Sequence, residues 1–125
     1  MEQAPETIPT LDEARIAYEQ GNEAVFNAWY FGRQKEADRD PTTYERFRIS
    51  IDVARIQYSA NAFEAANETI SGVNTGITEE LIELDRPGSP MESHPEKDTY
   101  ARKLKQLLQD VNIFRTEIRR HLPTS

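Results

Sequence analysis

Residues 41–71 carry apolar side chains on two separate faces of one predicted helix, and this feature constrains the fold more than any other in the chain. Side chains on a helix advance by about 100° per residue, so their spacing assigns each one to a face. The first face comprises Tyr44, Phe47, Ile51, Ala54, Tyr58, Ala62 and Ala65. The second face, which we call the second stripe, comprises Ile49, Val53, Ile56, Ala60, Phe63 and Ile70. Because a helix that is apolar on two sides packs on two sides, this helix is predicted to be either the centre of the subunit or the seam between two subunits.

A second long helix is predicted over residues 11–38. Thr10 and Glu13 have the spacing of a capping box, in which each side chain accepts a hydrogen bond from the backbone N–H of the other residue. Gly21 and Gly32 interrupt an otherwise helical pattern, and each weakens a helix by about 1 kcal/mol relative to alanine. Close packing against a neighbour offsets that loss, so the helix is predicted to be continuous.

The connection between these two helices is short. Asp40 followed by Pro41 is a cap residue with proline at the first helical position, and Gly72 has the character of a residue just beyond a helix end. Two long helices joined by a few residues are predicted to form an antiparallel hairpin.

The last third of the chain predicts a linker and a third long helix. Residues 73–94 include one short helix at about 78–84, followed by a segment rich in Pro, Gly and Ser. Ser93 and Glu96 form a second capping-box pattern, and the helix after them is predicted to extend to about Leu122. Its apolar residues alternate by four and three, as in a coiled-coil seam: Tyr100, Leu104, Leu107, Val111, Phe114 and Ile118.

The predicted fold class is all-α: three long helices plus one short helix forming an antiparallel helical bundle. Residues 1–9 are predicted to be a flexible N-terminal arm, and residues 10–122 a single helical-bundle domain that includes the 73–94 linker with its short helix. Residues 123–125 are predicted to be a tail.

Composition excludes several classes of function. The chain has no cysteine, which rules out disulfide scaffolds, thiol catalysis and thiolate metal sites. Its net charge is −7, which opposes nonspecific binding to nucleic acid or to an anionic membrane. Residues 1–94 hold 8 Lys/Arg and 18 Asp/Glu, a balance of −10, whereas residues 95–125 hold 7 and 4, a balance of +3. Because neither a secretory signal nor an apolar run of about 20 residues occurs, we predict a cytoplasmic protein with no membrane association.

Motifs for catalysis and cofactor binding are missing. The two histidines are His94, in the linker, and His121, in the last turn of the third long helix. Glu117 and His121 are four residues apart and could share a metal ion, but no further histidine stands near them. The glycines form no phosphate-binding loop. We therefore predict that the chain is not an enzyme and has no metal and no cofactor.

Three adjacent aromatic residues give the best indication of an interaction surface. Trp29 belongs to the core stripe of its helix, Tyr30 lies at the edge of that stripe, and Phe31 points to the polar side. Ile113 lies opposite the seam of its own helix in the same way. A monomer rarely exposes a large apolar patch, so an interface with a protein partner or a second copy is predicted. Its predicted residues are Tyr30, Phe31, Ile49, Val53, Ile56, Phe63 and Ile113.

Two functional hypotheses follow from these patterns. The first is a noncatalytic protein-interaction module, a small helical subunit, adaptor or regulator that self-associates or docks in a larger complex. The alternative is a nucleic-acid-associated factor or an acidic inhibitor of a nucleic-acid-binding protein, although the net charge disfavours contact with nucleic acid. The predicted residues for such contact are the basic ones near the turn between the helices predicted over residues 11–38 and 41–71: Arg33, Lys35, Arg39, Arg46 and Arg48.

Overall fold

The computed structural model describes residues 9–39, 42–88 and 94–123. It contains five helices: α1 (Leu11–Gln20), α2 (Glu23–Ala37), α3 (Tyr44–Ser59), α4 (Phe63–Asp85) and α5 (Lys97–Arg119). No strand occurs within these described ranges. The prediction of an all-α helical bundle is confirmed, but the helices are divided differently from the sequence-based prediction. The N-terminal arm at residues 1–8, the Asp40–Pro41 cap, Ser93 and the last two residues lie outside the described ranges.

The helix predicted over residues 11–38 is divided at Gly21. The capping box at its start is present, with Thr10 Oγ1 accepting from the Glu13 N–H at 3.1 Å. Gly21 has φ +73°, a left-handed conformation that ends α1, and the Asn22 side chain then accepts from the Val25 N–H to begin α2. Glycine and asparagine in succession thus terminate one helix and start the next, so the prediction of a continuous helix is wrong.

The helix predicted over residues 41–71 is divided at Asn61, and the part after Asn61 extends further than predicted. Asn61 has φ +64°, which asparagine tolerates better than most residues. Helix α4 begins at Phe63 and continues through Gly72 to Asp85, so Gly72 is not a helix end and the residues predicted as linker and short helix are one helix up to that point. Tertiary packing explains the difference, because Val73, Ile77 and Leu84 are all buried and outweigh the low helix propensity of glycine.

Helix α3 is the central helix, because it packs against α1 and α2 on one side and against α4 and α5 on the other. The larger hydrophobic cluster lies among α3, α4 and α5 and includes most of the predicted seam of α5. The smaller cluster lies among α1, α2 and α3, where Trp29 is 1% exposed. Its members are Ala14, Trp29 and Ile56, with Tyr18, Phe26, Tyr30 and Val53 packed around them.

This arrangement corrects the prediction of an exposed interface along the second stripe. Ile49 and Ile56 are 0% and 2% exposed within the single chain, because the α1–α2 hairpin covers that face of α3. Val53 packs against the same small cluster, and Phe63 begins α4, where it packs against the larger cluster. The second stripe therefore belongs to the core of the subunit.

Candidate interaction surfaces

Phe31 and Ile113 are the most exposed of the large hydrophobic side chains in the described ranges, at 61% and 71%. Phe31 lies on α2, where its ring meets the edge of the Tyr30 ring with centroids 6.0 Å apart. Tyr30 in turn packs partly against the cluster that contains Trp29. The three adjacent aromatics therefore have the core, edge and surface positions that the helical spacing predicts.

A groove runs between α3 and α5, on the side of the bundle where Ile113 lies. Helices α3 and α5 both pack closely against α4 but touch each other little, which leaves the space between them open. Two depressions of about 590 and 420 Å³ adjoin there and share three lining residues. The residues of this α3/α5 groove are Tyr44, Arg48, Ile51, Asp52, Arg55, Leu107, Asp110, Ile113, Phe114, Thr116, Glu117 and Arg120.

Cation–π contacts connect the two sides of the α3/α5 groove. The Lys103 ammonium lies 4.4 Å from the centroid of the Tyr44 ring, and the Arg55 guanidinium carbon lies 5.9 Å from that of Phe114. Such contacts hold the helices at a fixed separation without filling the space between them. Apolar surface is present at the base, where Ile51 and Leu107 are almost fully buried.

The two sides of the groove differ in charge. On the α3 side, Asp52 accepts from Arg33 at 3.1 Å and Arg48 pairs with Glu45 at 3.5 Å, so Arg55 is the charged lining residue of this side that has no ion pair among the described residues. On the α5 side, the Glu117 carboxylate pairs with Arg120 at 3.2 Å, which leaves Asp110 as the charge without an ion pair among the described residues. Among the described lining residues, the α3 side therefore keeps one positive charge without an ion pair, at Arg55, and the α5 side keeps one negative charge without an ion pair, at Asp110, while the Lys103 ammonium of α5 lies over the Tyr44 ring.

The predicted nucleic-acid patch is largely neutralised by neighbouring carboxylates. Arg33 pairs with Asp52, Arg46 pairs with Asp38, and Arg48 pairs with Glu45 at 3.5 Å. The remaining two basic residues, Lys35 and Arg39, are exposed, and neither has an ion pair within the part of the chain that the structure describes.

One polar cluster joins three helices at one end of the bundle. Glu80 on α4 accepts hydrogen bonds from the Thr43 hydroxyl at 2.6 Å and from the Tyr100 hydroxyl at 3.0 Å. Burial raises the pKa of the Tyr100 phenol, the bond with Thr43 opposes that shift, and the bond with the Glu80 carboxylate adds to it. The phenol therefore stays protonated and donates to Glu80, which fixes α5 against α4.

A second cluster at the opposite end contains the predicted pair Glu117 and His121. Both approach the Tyr58 hydroxyl, His121 Nε2 at 3.0 Å and Glu117 Oε1 at 3.4 Å. The His121 ring also stacks on Phe63 with centroids 4.4 Å apart. Desolvation raises the pKa of the Tyr58 phenol, and the Glu117 carboxylate raises it further. The two side chains that could share a metal ion thus converge on a tyrosine, and the described residues include no group of three His, Cys, Asp or Glu able to hold one.

No direct sequence signal marks the α3/α5 groove. Helical spacing assigns Phe114 to the seam of its helix and gives no special position to Arg55 or Asp110, because the groove results from how two helices, α3 and α5, are arranged on α4. Within the described ranges, no helix is long and apolar enough to cross a membrane. Comparison with protein-family models, with curated proteins and with solved structures gave no significant match.

Proposed function

We propose that this chain is a noncatalytic protein-interaction module, a small helical subunit, adaptor or regulator that self-associates or docks in a larger complex. The observation that carries the proposal is the exposure of Phe31 and Ile113, at 61% and 71%. Each lies in a helical turn that also contains a buried core residue, Trp29 for Phe31 and Val111 for Ile113. Large apolar side chains on a rigid helix bind a partner with little loss of conformational freedom, because their backbone is already fixed.

The surroundings of the two residues strengthen the case. Isolated exposed apolar residues are normal on protein surfaces. Ile113, however, lines the groove next to the half-buried Phe114, and Phe31 lies in edge contact with the half-buried Tyr30, so each adjoins a further aromatic side chain. Contiguous apolar surface is typical of sites where another protein binds.

The two tyrosines whose pKa is raised both have structural partners, which supports a noncatalytic role for them. Tyr100 is held between Thr43 and Glu80, and Tyr58 is held by Glu117 and His121. Each cluster connects different helices, and desolvation together with the neighbouring carboxylate of Glu80 or Glu117 accounts for the raised pKa of its tyrosine.

Affinity capture with matched surface variants tests the proposal. The wild-type chain and the variants Phe31→Asp, Ile113→Asp and Ile82→Asp would be immobilised and exposed to extract from the cells that produce the protein, and bound proteins would be quantified by mass spectrometry. Ile82 is 59% exposed on α4, so Ile82→Asp controls for adding a charge to an exposed apolar position. We expect a partner whose capture is lost with Phe31→Asp or Ile113→Asp and retained with Ile82→Asp. The proposal fails if the wild-type chain is monomeric at every concentration and no capture depends on either residue.

The alternative function, an acidic inhibitor of a nucleic-acid-binding protein, has one specific observation in its favour. Helix α4 carries six acidic residues and no Lys or Arg over its 23 residues. An array of carboxylates on a rigid helix resembles the charge of a nucleic-acid backbone. Competition between this chain and nucleic acid for a common protein supports the inhibitor. Direct binding of the chain to RNA or DNA that weakens as salt rises supports contact through Lys35 and Arg39 instead.

A further inference from the structure

We infer that the α3/α5 groove is the docking site for a second copy of this chain, with α3 of each copy lying against α5 of the other. This inference rests on the proposed function and names the partner for one of its surfaces. Such an interface is isologous, so every contact occurs twice and the surface must be complementary to itself.

The charge of the chain favours this surface for self-association. Two copies that each carry −7 repel one another over most of their surface. The α3/α5 groove is an exception, because its three arginines balance its three carboxylates. A balanced surface is where two acidic copies approach with the least repulsion, whereas an unrelated partner would impose no such balance.

The separation of charge within the groove sets the orientation. Its α3 side presents the positive charge of Arg55 and its α5 side presents the negative charge of Asp110, and neither has an ion pair among the described residues. A two-fold axis along the groove places α3 of one copy over α5 of the other. The α3 side of each copy then faces the α5 side of the other, so this contact occurs twice. Arg55 and Asp110 both line the shared middle of the groove, and this orientation brings Arg55 of each copy opposite Asp110 of the other.

Ile113 supplies an apolar contact beside the middle of the groove. It is the most exposed of the described large hydrophobic side chains and lies beside Phe114 in the groove wall. The lining of α5 extends from Leu107 to Arg120, which is about 20 Å of helix at 1.5 Å per residue. Two helices of this length, each about 10 Å wide, give about 400 Å² per copy and about 800 Å² in total, which is the size of a weak and transient interface, so we expect a dissociation constant of order 100 μM.

Molar mass measured by analytical ultracentrifugation from about 1 μM to 1 mM tests this dimer. We expect the wild-type chain to shift from monomer to dimer over that range. Ile113→Asp should weaken association about tenfold or more, because it replaces an apolar contact of the interface by a charge. Ile82→Asp and Phe31→Asp add the same charge outside the groove and should leave association within about twofold of wild type. Circular dichroism checks that each variant remains helical.

A charge-exchange experiment tests the orientation. Arg55→Glu alone and Asp110→Arg alone should each be monomeric, because in a homodimer both contacts then join like charges. An equimolar mixture of the two variants should form a heterodimer. In that heterodimer the carboxylate introduced by Arg55→Glu faces the guanidinium introduced by Asp110→Arg, and the unchanged Asp110 faces the unchanged Arg55. Pairing within one chain cannot produce this recovery on mixing.

Each outcome supports or overturns the inference. A wild-type chain that stays monomeric at the highest concentration, a dimer that is insensitive to Ile113→Asp, or variants that fail to associate on mixing would overturn it. If the chain is monomeric but still captures another protein through Phe31 or Ile113, the self-docking inference fails and the proposed function stands. If it is monomeric and captures nothing through either residue, both fail.

Discussion

Alanine substitutions at two glycines of α4 should have opposite effects on stability. Gly72 and Gly76 lie one helical turn apart in the same helix, so the helix-propensity contribution of each change is nearly the same. Their surroundings differ. A Cβ atom at Gly72 would have no heavy atom within 4 Å, whereas a Cβ at Gly76 would lie 2.9 Å from Cε1 of Phe47 on α3.

The magnitudes follow from these distances. Gly72→Ala should raise the free energy of unfolding by about 1 kcal/mol, because alanine is the better helix former and nothing opposes it. Gly76→Ala receives the same gain, but a carbon–carbon contact at 2.9 Å is well inside the usual separation of about 3.5–4.0 Å. Displacing the half-buried Phe47 ring or separating α3 from α4 should cost about 1–3 kcal/mol. The net result should be a loss of up to about 2 kcal/mol.

Urea unfolding followed by circular dichroism measures both changes, with the free energy obtained by linear extrapolation. The contact itself is isolated by a double-mutant cycle with Phe47→Leu, in which Gly76→Ala should lose most of its penalty. The effect of Gly72→Ala should be the same in both backgrounds. If Gly76→Ala stabilises the wild-type chain as much as Gly72→Ala does, then α3 and α4 do not approach each other at this point and the reasoning is refuted.

Three further substitutions test other parts of the structure. In urea unfolding, Trp29→Ala should lower the free energy of unfolding by about 3–5 kcal/mol, because it removes the largest side chain of the small cluster. Phe31→Ala should change that free energy by less than about 0.5 kcal/mol. Equal losses would contradict the assignment of Trp29 to the core and of Phe31 to the surface. Asn61→Ala should cost about 1 kcal/mol because of the positive φ, while Asn61→Gly should be tolerated, as thermal unfolding would show. The raised pKa of the Tyr100 phenol means that the folded chain holds this proton at a pH where the unfolded chain, with a pKa near 10.0, releases it. The contribution of Tyr100 to stability should therefore be complete below pH 10 and fall as the pH rises through the folded pKa. Urea midpoints in alkaline buffers should fall less steeply for Tyr100→Phe than for the wild-type chain, and an unchanged slope would exclude this role.

The features that depend on helical periodicity could be predicted from the sequence. The seam of α5 and the separate positions of Trp29, Tyr30 and Phe31 follow from spacing alone, and their observed exposures agree with that spacing. The capping box at Thr10 is equally predictable, because its two hydrogen bonds join residues three apart in the chain. These are local relations, which is why a single sequence contains enough information to predict them.

The features that could not be predicted depend on distant contacts or on turn chemistry. Gly72 has the character of a helix end, yet α4 continues because residues beyond it are buried against α3 and α5. Asn61 carries no strong turn signal, but its positive φ separates α3 from α4. The α3/α5 groove depends on how far apart two helices lie when both pack on a third, and no spacing along the chain contains that distance.

The division of the core around α3 implies that the two halves of the protein open with different free energies. The cluster beneath α1 and α2 has three buried residues, whereas the cluster among α3, α4 and α5 has twelve, so the hairpin is held by much less buried surface. Its amide hydrogens should exchange with solvent through a partial opening that leaves α4 and α5 folded. Each such opening would uncover Ile56 on α3, so a firmly attached hairpin should lower the tendency of this chain to aggregate.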